Sequence, residues 1–226
     1  APGAPVFVSL DDVRTLFHEF GHSLHALLQD VAYPTLGDTP RDFVELPSQI
    51  NEQWVFTREL LDRFARHYET NAPLPLELVE QVKASETFSQ GYKTVEAVSA
   101  AIVDLELHTK RDGEFEPRAF EREVLERIGM PREIALRHRL PHFDHLFGSD
   151  AYSGLYYSYL WADVMAADGW QAFAQSGPYD AELARRFRTH ILSDGNSIDR
   201  MEAYRLFRGR DPEVGALLAE RGLAEA

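Results

Sequence analysis

Residues His18-Glu19-Phe20-Gly21-His22 read H-E-x-x-H, and this spacing constrains the chain more than any other stretch of it. At about 100° per residue, His18 and His22 fall about 40° apart around a helix, so both imidazoles can serve one ion. Such a pair holds Zn²⁺, and the glutamate between them, Glu19, is placed to act as a general base. The flanks suit a helix over 10–29. Ser9 is positioned to cap it, and Asp11 and Asp12 favour its positive end. Val13, Leu16, Phe17, Phe20, Leu24, Leu27 and Leu28 give it a broad apolar face, which predicts a buried, rigid helix.

A catalytic zinc takes a third protein ligand and keeps one position open. Glu45 is the best candidate, because it falls on the next predicted helix, which can pack back against the first. Its apolar neighbours Phe43, Val44, Leu46 and Ile50 predict a buried, partnered carboxylate. His25 is the rival. It shares the face of His18 and His22 but lies about 5 Å further along the axis, which suits an outer contact better. Asp42, three residues before Glu45, is a candidate to orient a metal-bound histidine, or is an exposed early-helix acid.

The chain of 226 residues, 44% hydrophobic, can bury a sizeable core as one domain. A formal charge of −14 without a Lys/Arg-rich run argues against a nucleic-acid partner. Zero cysteines exclude disulfides and thiolate metal sites, leaving His and carboxylate ligands, and fit the cytoplasm as the expected location. No apolar stretch is long enough to cross a bilayer, so no membrane partner is expected, and Ala1-Pro2-Gly3-Ala4-Pro5 has none of the regions of a signal peptide. With no initiator Met, the sequence is expected to start within a longer protein.

Periodicity and breakers predict an almost wholly helical chain. After an extended entry at 6–8 and the motif helix, Tyr33-Pro34 and Gly37 suggest a short strand or hairpin. A second helix is expected from Thr39-Pro40 towards Tyr68 with a kink at Pro47. Further helices are expected near 76–89, 91–110, 117–128, 131–138, 154–175, 180–192, 198–207 and 211–221. The predicted class is mainly α, a multi-helix zincin-like domain with little β-structure.

H-E-F-G-H-S-L-H followed by R-D-F-V-E-L-P-S-Q-I-N-E-Q-W resembles the catalytic region of the thimet oligopeptidase family of zinc metallopeptidases. The likeness is greatest to its bacterial peptidyl-dipeptidases, with oligopeptidase A next. It continues through Phe88-Ser89-Gln90-Gly91-Tyr92, His145-Leu146-Phe147-Gly148, Tyr156-Tyr157-Ser158-Tyr159-Leu160-Trp161, Gly195-Asn196-Ser197 and Arg208-Gly209-Arg210-Asp211-Pro212, and so covers nearly the whole chain. By this resemblance His18, His22 and Glu45 match the zinc ligands and Glu19 the general base.

The resemblance also implies that His145, Tyr156 and Tyr159 stabilise the oxyanion formed during hydrolysis of oligopeptides. Without it, Tyr152, Tyr156 and Tyr159, at i, i+4 and i+7, read as a core-facing aromatic stripe. Between His145 and Tyr156 the chain carries Ser149-Asp150 and one extra residue where the family is richer in glycine. Family members are much longer, with a helical N-terminal half forming the opposite wall of a channel. This sequence matches the C-terminal catalytic half, and the missing half is its expected partner.

The expected activity is zinc-dependent hydrolysis of oligopeptides with release of C-terminal dipeptides. Internal cleavage, and a catalytically weak zinc- and peptide-binding fragment, stand as alternatives. Dipeptide release needs an anchor for the substrate's terminal carboxylate, for which Arg200, Arg205 and Arg208 are available.

Overall fold

The computed structural model describes residues 7–110 and 113–224, which leaves part of the expected extended entry, Val6, outside the described residues. Helix α1 spans Leu10–Leu27 and begins as its sequence predicts. Ser9 Oγ accepts the Asp12 amide at 3.1 Å while the Asp12 carboxylate accepts the Ser9 amide at 2.8 Å, a reciprocal cap that satisfies two otherwise orphaned donors. The segment expected as a strand or hairpin is instead a 3₁₀ turn, Pro34–Gly37. The only strand-like pairing among the described residues is an isolated antiparallel bridge between Arg66 and Pro73.

The single kinked helix expected after Pro40 is divided into α2 (Arg41–Val44), α3 (Leu46–Glu52), a 3₁₀ turn at Gln53–Phe56 and α4 (Arg58–Phe64). Pro47 explains the first division. It has no N–H to donate to Phe43, and its ring crowds that carbonyl, so α2 cannot run on into α3. Next come α5 (Leu76–Glu86), α6 (Gln90–Thr109) and α7 (Pro117–Arg127), close to their expected bounds. The expected helix at 131–138 is absent. The end of that segment is held from outside, since the buried Glu121 carboxylate accepts the Leu140 amide at 3.0 Å and pairs with Arg139. Helix α8 (Asp144–Phe147) follows, then α9 (Ser158–Ser176), α10 (Ala181–Phe187) running into a π-helical segment Arg188–Ser193, α11 (Arg200–Arg208) and α12 (Val214–Glu220).

Helix α9 is the hub. Its small residues Ala162, Ala166 and Ala172 let α2, α3, α10 and α12 approach closely, and Met165 and Phe173 fill the space between them. The main core joins these to Phe43, Leu46, Ile50, Ile191, Tyr204 and Phe207. A second cluster, Val103, Val124, Leu136, Leu140, Phe143 and Leu146, lies between α6, α7 and the loop leading to α8, with Tyr156 packed against it.

Helix α1 departs from expectation in its burial. Only Gly21 and His25 are buried on it, while Leu16, Phe20 and Leu27 are 64%, 53% and 75% exposed. The face that packs is the narrow one at Gly21. A Cβ there would lie 2.5 Å from Ser48 Cα and 2.6 Å from the Pro47 carbonyl oxygen, so only glycine lets α1 and α3 touch backbone to backbone.

Candidate functional site

The contact at Gly21 brings the two predicted ligand elements together. His18 and His22 project from α1 with ring centroids 5.0 Å apart. Glu45, at the turn between α2 and α3, points back at them, its Oε2 3.4 Å from His18 Nε2 and 3.3 Å from His22 Nε2. These three ligand atoms all lie within 4.8 Å of one another.

Ligand atoms about 2.0–2.2 Å from a tetrahedral ion sit roughly 3.3–3.6 Å apart, and the two separations from Glu45 match that spacing. The donor set, two imidazoles and a carboxylate, suits zinc. The histidine side chains keep 25% and 31% of their surface open, so a fourth position is reachable from solvent.

Each ligand is held by a second contact. Glu52 Oε1 lies 2.7 Å from His18 Nδ1; with the proton on Nδ1, the Nε2 lone pair faces Glu45 and the metal position. Ser48 Oγ donates to Glu45 Oε2 at 3.1 Å, and Tyr152 Oη donates to Glu45 Oε1 at 3.0 Å. Burial pushes the Glu45 carboxyl up, but hydrogen bonds from His18, His22 and Tyr152 outweigh it and hold it well below the usual range. His18 is pushed up to about 10, by its hydrogen bond to Glu45 first and Glu52 second. Glu19 lies between the two histidines in sequence and is exposed, with no side-chain hydrogen bond or ion pair among the described residues.

His25 does not join the ligand set. It is 6% exposed, its Nε2 lies 3.4 Å from Thr39 Oγ1, and burial, then Arg200 and His22, lower it to about 4. Asp42 makes no ion pair or side-chain hydrogen bond with a ligand histidine either; its charge faces Tyr157 and helps to raise that phenol's pKa, after burial. Glu52, which the sequence does not single out, takes the orienting place. A signal for it exists, since Glu52 is seven residues beyond Glu45 on an adjoining helical stretch.

The residues implied for oxyanion stabilisation also converge. The His145 ring lies 5.4 Å from that of Tyr156 and 6.1 Å from that of Tyr159, with Tyr152 completing the group at 5.8 Å. Tyr152 and Tyr159 stack at 5.0 Å. Burial raises the pKa of Tyr156 and Tyr159, so both hydroxyls keep their protons as donors. Tyr152 is the ring of this group that bonds a ligand residue, and its hydroxyl thereby steadies Glu45 as well as filling the stripe.

None of the three arginines considered as carboxylate anchors is free. Arg200 is buried against Phe43 and donates to the Ile198 carbonyl; Arg205 pairs with Asp211 and Glu202; Arg208 donates to the Asp168 carbonyl and pairs with its carboxylate. Arg41, to which no sequence signal points, is better placed. It is exposed, its guanidinium stacks 4.9 Å over the Tyr152 ring, and it lines a cleft with His22, His25 and Thr39.

Comparison with known proteins gives the chain's relatives. The chain is 43% identical to the dipeptidyl carboxypeptidase of Escherichia coli (strain K12) and 40% identical to that of Salmonella typhimurium. It is 36% identical to oligopeptidase A of E. coli. These alignments cover 98–99% of this chain and 33% of each relative, so the chain spans about a third of the length of the curated relatives it matches. Peptidase family M3 matches residues 1–223, taking in the H-E-x-x-H pair, Glu45 and the tyrosine loop, and the chain belongs to that family.

Proposed function

We propose that this chain carries the catalytic centre of a zinc-dependent peptidase that releases dipeptides from the C-termini of oligopeptides. The observation that supports it most is the approach of His18 Nε2 and His22 Nε2 to one oxygen of Glu45 at 3.4 and 3.3 Å. Zinc held by these three residues would supply Lewis acidity to the scissile carbonyl and to water.

Glu19 takes a proton from the attacking water as the new C–O bond forms, and gives it to the leaving amine nitrogen as the C–N bond breaks. His145, Tyr156 and Tyr159 donate to the developing oxyanion, where hydrogen bonds strengthen most in the transition state. Arg41 is the cation best placed to receive a substrate's terminal carboxylate. Relatives named dipeptidyl carboxypeptidase favour this reading over internal cleavage, for which the relatives named oligopeptidase A stand. The helical half that completes the channel in the resembling family is the proposed partner, and the exposed Leu16 and Phe20 on α1 are apolar surface it would cover.

Turnover of an internally quenched peptide, as free acid and as C-terminal amide, tests the proposal with the zinc-loaded chain joined to that half. The acid should be cut and the amide spared by about tenfold or more, Arg41→Gln should erase the preference, and Glu19→Gln should lose at least ~10²-fold in kcat. An enzyme that cuts both peptides equally is an internal-cleaving oligopeptidase. One that keeps full activity as Glu19→Gln does not use Glu19 as its base.

A further inference from the structure

We infer that Asp104 and His108 of α6 form an anchor that fixes the tyrosine-bearing loop over the metal ligands and act as positioning residues; the catalytic half of this rests on the proposed hydrolysis. Asp104 is 0% exposed. Its Oδ1 accepts the Gly154 amide at 2.9 Å and lies 2.7 Å from His108 Nδ1, and its Oδ2 accepts the Tyr156 amide at 2.9 Å. A buried carboxylate is costly unless its oxygens are satisfied, and here backbone amides of a distant loop satisfy both, while His108 Nδ1, beside Oδ1, hydrogen-bonds the Asp104 backbone carbonyl at 2.9 Å. His108, one turn along α6, covers the solvent side of the carboxylate, its own side chain 31% exposed.

Gly154 is fitted to this contact in two ways. Its φ of +72° is a conformation L side chains rarely adopt, and a Cβ on it would sit 3.3 Å from His108 Cβ. The two anchored amides fall between the residues that matter for chemistry. Tyr152, two residues before Gly154, bonds Glu45; Tyr156 is itself anchored; Tyr159 lies in the first turn of α9. A loop tethered at 154 and 156 therefore cannot shift without moving all three rings relative to the ligand set. An apolar residue at 104 would leave both amides without an acceptor.

Amide hydrogen exchange resolved by residue tests the anchor on this chain without calling on activity. In the parent, Gly154 and Tyr156 should be protected. Asp104→Asn puts an NH₂ donor against an N–H, so exchange at one or both positions should rise at least about tenfold. Phe173 and Ile191 should keep their rates, and bound zinc should match the parent. His108→Gln leaves both amide bonds in place and should give a smaller rise confined to the same loop. It guards against an Asp104→Asn chain that fails to fold. In turnover of the quenched peptide, Asp104→Asn should lower kcat about tenfold or more with KM within about twofold, a split that a packing role would not produce.

Parental exchange at 154 and 156 in both variants overturns the anchor, as does equal acceleration of every amide. Faster loop exchange with parental kcat overturns the positioning role. A parent that turns over no peptide counts against the proposed hydrolysis and with it the positioning role, while the exchange rates still decide the anchor.

Discussion

Glu52 reaches His18 from the side of the ring opposite Glu45, at 2.7 Å, and so controls which imidazole nitrogen is free to bind metal. Glu52→Gln keeps the reach and loses the charge. Zinc affinity measured by chelator competition should fall by roughly 10–100-fold while both ligand histidines remain; parental affinity would show that His18 is oriented without Glu52. At Tyr159 the question is chemistry against packing. Tyr159→Phe keeps the stacked ring and removes one hydroxyl, so kcat should drop about 10²-fold with KM and Tm nearly unchanged, and an unchanged kcat would return the residue to the core. The residues that spacing or a matching motif marks in the sequence and that the structure brings together are His18, His22 and Glu45. The bond from Tyr152 is not legible there, because its partner lies 107 residues away; Glu52 follows Glu45 at i+7 on an adjoining helical stretch, but nothing local ties it to His18, 34 residues away.

Among the elements, α1 and α3 carry the site because a glycine lets them touch. Gly21→Val would force side-chain atoms into Ser48 Cα and the Pro47 carbonyl, driving the helices apart by more than the ligand geometry tolerates. Bound zinc after dialysis should be largely lost and Tm lowered, whereas a variant with parental zinc would show that the close approach is dispensable. The same elements show where periodicity is and is not a sufficient guide. Helices α5, α6 and α7 follow their own sequence signals. The expected helix over 154–175 starts only at Ser158: Gly154, at φ +72°, lies outside the right-handed helical region, and Asp104 on another helix holds the amides of Gly154 and Tyr156 in the turn before it. The segment 131–138 lies between α7 and the turn at Leu140, whose amide bonds the buried Glu121, and it forms no helix. The acceptor that fixes the 154–156 turn is the buried Asp104 carboxylate, 50 and 52 residues away, which a window of neighbouring residues does not contain.

For the whole molecule, the arrangement is a helical scaffold around α9 with the candidate centre at one edge, where α1, α3 and the tyrosine loop meet. The apolar face of α1 reads as core from the sequence, yet Leu16, Phe20 and Leu27 stand in solvent, in a chain that spans about a third of its curated relatives' length. Pattern alone says that a face is apolar, not which partner covers it. The central claim is that His18, His22 and Glu45 together form one metal site, and zinc per chain by metal analysis after exhaustive dialysis tests it most directly. Close to one zinc is predicted in the parent and in His25→Ala, and little in Glu45→Gln. Zinc retained by Glu45→Gln and lost by His25→Ala would contradict it.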